Sequence, residues 1–202
     1  MVTEIYPAPG GGPTEEPVSL QEAKDQCRVE HDEEDVLLAS VIQAAREWAE
    51  QHTGRAFCTQ TWEARYDSFP AAGERLEVPK PPLQAVASVK YLDGSGTEQT
   101  WAASDYLVLG VPLTSADQGG QVERGHVVPA SGKSWPATLK VPEAVRVRFT
   151  CGYGKSEKVP VQIKRAILLK VADLYLQREP QEQEATAADR NLLGSFRSPR
   201  VA

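Results

Sequence analysis

Three stretches of this chain carry residue types that could do chemistry, and each fails on spacing. Gly132-Lys133-Ser134 has the ending of a phosphate-binding loop, in which backbone N–H groups and a lysine cradle phosphate oxygens. The glycine that loop requires at position 127 is a valine, and Trp135-Pro136 follows where its helix would begin. Gly152-Tyr153-Gly154 opens like a dinucleotide fingerprint, but position 157, where a third glycine belongs, is Glu. These glycines better suit a backbone turning from a strand toward a helix. The run from Glu30 to Asp35 could offer carboxylates to a divalent cation, yet it lacks the alternating ligands and central glycine of a calcium loop. It fits a loop and the first turn of a helix, where carboxylates meet the positive end of the dipole.

The three histidines, His31, His52 and His126, have no serine or cysteine in a recognisable nucleophile setting. Cys27, Cys58 and Cys151 are odd in number, far apart and set in apolar patterns, which predicts free thiols acting as small core residues. No Cys/His cluster suits a metal. Nothing supports acyl or phosphoryl transfer, and no catalytic residue, metal or cofactor is expected.

Charge narrows the classes further. Net charge is −6, and residues 1–35 hold ten acids against Lys24 and Arg28, leaving a small positive balance for the rest. That is no footprint for gripping nucleic acid. The helix stripes have acidic or mixed opposite faces rather than lysine-rich ones, which argues against a membrane surface. No apolar run approaches a membrane span, and the first residues lack the basic start and apolar stretch of a secretory signal. A soluble protein made in a cytoplasm is expected.

The elements around these residues are more legible than any site. Residues 1–17, with four prolines and a Gly-Gly-Gly run, read as a flexible arm, mobile or laid on a partner. Residues 18–57 read as a helical hairpin. Ser19-Leu-Gln-Glu22 is a capping box, and Leu20, Ala23 and Cys27 follow at helical spacing. Leu38, Val41, Ile42, Ala45, Trp48 and Ala49 make a 3.6-residue stripe that stops at Gly54.

Residues 58–154 read as β-rich. Trp62, Ala64 and Tyr66 alternate with charged residues; Leu83, Ala85, Ala87, Val89 and Tyr91 make a second alternating face before the turn Asp93-Gly-Ser-Gly96. Tyr106–Leu109 and Gln121–Arg124 are short candidate strands, and Val145, Val147, Phe149 and Cys151 form a strong one. Residues 159–180 complete the bundle with a helix opened by Pro160, its stripe formed by Ile163, Ile167, Val171, Leu174 and Tyr175. The predicted bundle core is Leu38, Val41, Ile42, Ala45, Trp48, Ile163, Ile167, Val171 and Leu174. Residues 181–202 form a polar tail with an apolar cluster, Leu192, Leu193 and Phe196, that either folds back on its own domain or docks on a neighbour. The fold class is α+β: a three-helix bundle with an inserted antiparallel β-rich subdomain and an extended C-terminal tail.

In order along Pro17 to Arg197, the chain resembles the head–tail connector (adaptor) proteins of tailed bacteriophages and gene-transfer-agent relatives, in their larger β-containing form. The likeness rests on Ser19-Leu-Gln-Glu-Ala-Lys, Arg28-Val-Glu-His-Asp-Glu-Glu-Asp, Ile42-Gln-Ala-Ala-Arg-Glu-Trp-Ala-Glu, Thr53-Gly-Arg and Thr59-Gln-Thr-Trp. Pro81-Pro-Leu-Gln-Ala-Val-Ala-Ser-Val, Trp135-Pro, Cys151-Gly-Tyr-Gly and Val159-Pro-Val-Gln-Ile-Lys-Arg-Ala-Ile continue it. The ending Leu192-Leu-Gly-Ser-Phe-Arg is similar to the family's Leu-Leu-x-Pro-Tyr-Arg, departing at Ser195 and Phe196.

The resemblance implies a non-enzymatic virion protein at the head–tail junction, forming a homo-oligomeric ring, commonly of twelve copies, beneath the portal protein. Its partners would be the portal and the next neck or tail-completion protein, with DNA only as cargo in the channel and no membrane. The C-terminal segment, with Leu192, Leu193, Phe196 and Arg197, would dock on the portal, and removal of residues 189–202 is expected to leave a folded domain that no longer attaches. Another neck or tail-completion protein, or a small binding domain or enzyme with no recognisable motif, stays open as an alternative.

Overall fold

The computed structural model describes residues 2–111, 124–176 and 193–196. The chain runs β1 (Val2–Pro7), α1 (Leu20–Cys27), α2 (Asp35–Thr53), β2 (Gln60–Tyr66), β3 (Leu76–Val78), β4 (Leu83–Leu92) and β5 (Glu98–Trp101). It continues with β6 (Tyr106–Leu109), β7 (Gly125–Pro129), β8 (Val145–Cys151) and α3 (Val161–Leu176). The class is α+β.

The helix ends follow from their sequence. The Ser19 hydroxyl accepts the Glu22 N–H at 3.2 Å while the Glu22 carboxylate accepts the Ser19 N–H at 2.6 Å, a reciprocal cap on α1. Between α1 and α2 the Lys24 ammonium holds Asp32 at 2.5 Å and Asp35 at 2.8 Å. Helix α2 ends where Gly54 turns left-handed at φ 69° and donates its N–H to the Glu50 carbonyl at 2.9 Å. The Pro160 carbonyl accepts the Ile163 and Lys164 N–H groups, starting α3.

Five strands form an antiparallel sheet in the order β1-β2-β8-β4-β5, and three form a second, β3-β7-β6. The sheets enclose one core, with Tyr66, Leu83, Val89, Val127, Val147 and Phe149 inside. Gly125 of β7 lies so close to the Leu83 side chain that a Cβ there would overlap it, which is why the small sheet can lie flat on the large one. A second core lies among the helices, where Ile42, Ala45, Ala49, Ile163, Ile167 and Val171 pack with Phe57 and Tyr153. Leu38 is fully buried, and Val41 and Trp48 are partly buried against this cluster.

Several expectations change. Residues 2–7 of the supposed arm form the edge strand β1, registered from Val2 on Tyr66 to Pro7 on Trp62. Its alternation is too short to stand out among prolines, but β2 supplies the missing partner. The alternating face read through Ala85 and Ala87 is broken by two bulges, between Leu83 and Ala85 and between Val86 and Ser88. Each inserts one residue, so the inward positions become Leu83, Val86 and Val89, while Ala85 and Ala87 are exposed.

Leu174, expected in the core, is 36% exposed near the end of α3. The apolar tail residues go the other way: Leu193 is 0% and Phe196 4% exposed, both inside the bundle core. Of the two fates open to that cluster, these side chains fold back. Leu192, Arg197, the candidate strand residues 121–123 and the expected helix end at 179–180 lie outside the described residues.

Candidate assembly surfaces

The bundle and the sheets meet at a buried polar joint. Glu50, on α2, accepts the Phe57 N–H at 2.9 Å and the Gln60 Nε2 at 2.7 Å, while its other oxygen receives Arg46 at 3.1 Å. Arg46 also donates to Glu16 at 2.9 Å. Glu50, Arg46 and Glu16 are thus paired with one another, as buried charges must be. On the same joint Arg55, 2% exposed, donates to the Tyr153 hydroxyl at 2.8 Å, and its guanidinium lies 5.7 Å from the centre of the Phe196 ring. Gly152 has φ 111°, and a Cβ there would overlap the Cys58 carbonyl, so only glycine lets the end of β8 approach this close.

A strap from Ala8 to Val18 crosses the joint. The Gly11 carbonyl accepts the Thr61 N–H at 2.8 Å, Glu15 accepts the Ser156 N–H at 2.8 Å, and Val18 is buried in the bundle. Only the i,i+4 spacing of Arg46 and Glu50 hinted at this joint in the sequence; their partners are set by folding.

The residues with chemical potential stay apart. His31 lies in the α1–α2 loop, His52 stacks on Trp48 with ring centres 5.5 Å apart, and His126 sits on β7. Gly132 and Lys133 belong to a turn after β7, closed by the Lys133 N–H on the Ala130 carbonyl at 2.9 Å, and Ser134 follows in irregular backbone instead of a helix start. Burial pushes the Cys58 and Cys151 thiols up to about 12, and raises Cys27 as well, so all three are free, protonated packing groups. Among the described residues no His/Cys/Asp/Glu group could hold a metal, and no helix is long and apolar enough to cross a membrane.

A cleft of about 730 Å³ opens between β1, the end of α2 and β3, lined by Ile5, Glu50, Tyr66, Leu76, Lys80 and Arg124. Three of its charged side chains are engaged within the protein: Glu50 with Arg46, Arg124 with Glu77, and the Lys80 ammonium 4.0 Å from the centre of the Trp62 ring. Burial lowers the Lys80 pKa. The outer surface carries exposed apolar side chains at Val36, Leu37, Val161 and Leu176, all on the helices. The Tyr175 hydroxyl donates to Glu34, tying the end of α3 to the start of α2 beside Val36 and Leu37.

Residues 17–93 match the family model described as phage gp6-like head-tail connector protein. No curated protein matches the chain. Among solved structures, a chain from the neck of an empty gene transfer agent particle, computed with C6 symmetry, superposes with TM-score 0.77 at 21% identity, covering 99% of this chain and 98% of that one. A chain from the virion of the native particle gives 0.76 at 21% identity, and one from the native neck, computed with C12 symmetry, gives 0.75 at 20%; both alignments again cover 99% and 98%. The resemblance read in the sequence is thereby borne out: the chain has the gp6-like connector signature over residues 17–93, on a fold shared along its length with chains of gene transfer agent neck and virion structures.

Proposed function

We propose that this protein is a structural head–tail connector of a phage-like particle, a non-enzymatic component of the virion neck. It forms a ring of twelve copies under the portal, bridges the portal to the next neck or tail-completion protein, and leaves a lumen through which DNA passes. The observation that carries this reading is the coincidence of the connector signature at residues 17–93 with a neck-chain fold over 99% of the sequence. C6 and C12 are the symmetries of the similar neck structures, and a twelve-copy ring satisfies both.

The physical character of the chain supports the same reading. Arg46 and Glu50 are spent on the joint between bundle and sheets, Lys24 on the α1–α2 loop, and burial raises the Cys58 and Cys151 thiols out of reactivity. A ring of identical subunits needs two different complementary faces on each copy, and this chain presents helices and an open sheet face on separate parts. Portal attachment belongs to the tail around Leu192 and Arg197, with Leu193 and Phe196 as its anchor in the parent domain rather than as the docking side chains.

The test is electron imaging of the purified protein mixed with its portal. Stacked rings with twelve connector copies are expected. Decoration of a tail component without contact to the portal would assign the protein to another neck or tail-completion role, and a protein that never joins the particle would end the reading.

A further inference from the structure

A sheet leaves a row of unpaired N–H and C=O groups along each edge, and chains commonly blunt such edges with charge, proline, bulges or brevity. Of the four edges among the described residues, three are blunted. Strand β1 has a bulge between Val2 and Glu4, a carboxylate at Glu4, and ends on Pro7, which has no N–H. Strand β5 has four residues and starts on Glu98, which holds Lys90 and Arg146. Strand β3 has three residues, and its Glu77 carbonyl already accepts the Tyr66 hydroxyl at 2.6 Å.

Strand β6 has none of these devices. From Tyr106 to Val111 the chain carries no charge and no proline, and β6 pairs with β7 without a bulge. Leu107 is 54% exposed, and Leu109 and the cross-strand neighbour Val128 are half-buried on the same face. Of the charges flanking β6 and on its sheet, Asp105 is paired with Lys133 at 3.2 Å and Glu77 with Arg124, while His126 lies opposite Leu109. The Ala130 N–H donates to the Asp105 carbonyl at 2.9 Å, which sets the phase of the ladder. By the alternation of antiparallel pairs, Leu107 and Leu109 bond inward to β7, and Tyr106 and Val108 turn their N–H and C=O outward. Among the described residues no other backbone group meets them.

We infer that the free protein pairs with a second copy of itself along β6, antiparallel about a twofold axis at Leu107. That register sets Tyr106 opposite the partner's Val108 and Val108 opposite the partner's Tyr106, so every outward N–H finds a carbonyl. Leu107 meets the partner's Leu107 in the closely spaced, non-hydrogen-bonded pair, where cross-strand side chains touch. A second copy is the occupant because this uncharged edge is its own complement: the register that uses every outward group also covers the exposed leucine. Pairing also stops at two. The joined sheet ends on both sides in the three-residue β3, whose outward carbonyl is taken. An edge contact this short buries less than the about 1,200–2,000 Å² of a stable complex, so the pair is weak and reversible. A twofold contact closes on itself and cannot propagate round a cyclic ring. It therefore belongs to protein waiting to assemble, and it is independent of the ring reading.

The test is sedimentation of the full-length protein from about 1 µM to about 1 mM, with thermal melting to check the fold of each variant. Wild type should pass from monomer to dimer with no larger species. Leu107→Lys and Leu107→Glu each set like charges across the axis and should each raise the dissociation constant by about tenfold or more. An equimolar mixture of the two should recover the dimer. In hydrogen exchange the Tyr106 and Val108 amides should be fast in dilute protein and slow in concentrated protein. A wild type that stays monomeric, a dimer indifferent to both charges, or loss without recovery in the mixture overturns the inference. Protection of those amides in dilute protein also overturns it, because the chain's own residues then cover the edge. Protection seen only in assembled particles does the same, and assigns the edge to a strand of another neck protein.

Discussion

Removing residues 189–202 should weaken the domain itself, besides abolishing the proposed attachment to a portal. Leu193 is 0% exposed and Phe196 4%, both within the bundle core, and the Phe196 ring lies beside the buried Arg55 guanidinium. Truncating a buried leucine to alanine costs about 2–5 kcal/mol and a buried phenylalanine about 3–5 kcal/mol. The two share a neighbourhood, so their losses do not add fully, and about 4–7 kcal/mol is a reasonable joint figure. A domain of this kind has about 5–15 kcal/mol in hand. Deletion therefore consumes about a quarter of the stability or more, and the isolated protein should melt far lower or fail to fold. The milder probe is Leu193→Ala, where about 3 kcal/mol lowers Tm by about 6–12 °C. Differential scanning calorimetry of the isolated protein reads both. A truncated protein that melts within about 1 °C of the full chain would refute the placement of Leu193 and Phe196 in the core, because a loss of even 1 kcal/mol shifts Tm by about 2–4 °C.

Gly152→Ala forces a side chain into a left-handed backbone against the Cys58 carbonyl; a loss of about 2 kcal/mol or more is expected in urea unfolding, alongside reduced soluble yield. The Asp93 carboxylate accepts from Ser95, then Gln99 and Thr97, which lowers its pKa from 3.8 to about 2. Its contribution to the turn is thus complete above the ordinary value and is lost as pH falls through about 2, visible by NMR titration of that carboxyl; a midpoint near 3.8 would contradict it. With burial holding Cys58 and Cys151 protonated, neither should react with a thiol reagent at pH 8 until the protein unfolds, when all three cysteines become titratable. Prompt reaction of either in the folded protein would count against the joint as described.

What could be read from the sequence was what is written locally. The capping box at Ser19 and the glycine stop at Gly54 involve neighbours three or four residues apart, and both appear where their residue types require. Strands β6 and β8 coincide with their alternating runs. What failed depends on distant partners. Strand β1 becomes a strand by pairing with residues about sixty positions away, and nothing in its own six residues demands it. The bulges of β4 shift its inward positions from two to three apart, so a strict period-two reading placed Ala85 and Ala87 on the wrong face. The tail cluster was visible as apolar, but whether it served its own core or a neighbour depended on the room left beside Arg55.

The proposed ring would also explain why so much polar burial is spent between the bundle and the sheets. Twelve copies close only if each contact turns the chain by about 30°, and an error of about 2° per copy accumulates to most of one subunit's turn. When the two contacting faces lie on different parts of the subunit, the angle between those parts sets the ring. Glu50 ties α2 to the Phe57 N–H and to Gln60, the strap from Ala8 to Val18 crosses the same line, and Arg55 with Tyr153 closes it from the other side. Glu50→Gln isolates this role, because the amide keeps the size of the side chain and one accepting oxygen, and Arg46 retains Glu16. The variant should fold with a loss of about 1–3 kcal/mol, yet give rings on the portal with scattered or incomplete copy numbers. Uniform rings of wild-type size from a measurably destabilised Glu50→Gln protein would mean that the joint serves folding alone, and that ring geometry is imposed by the portal.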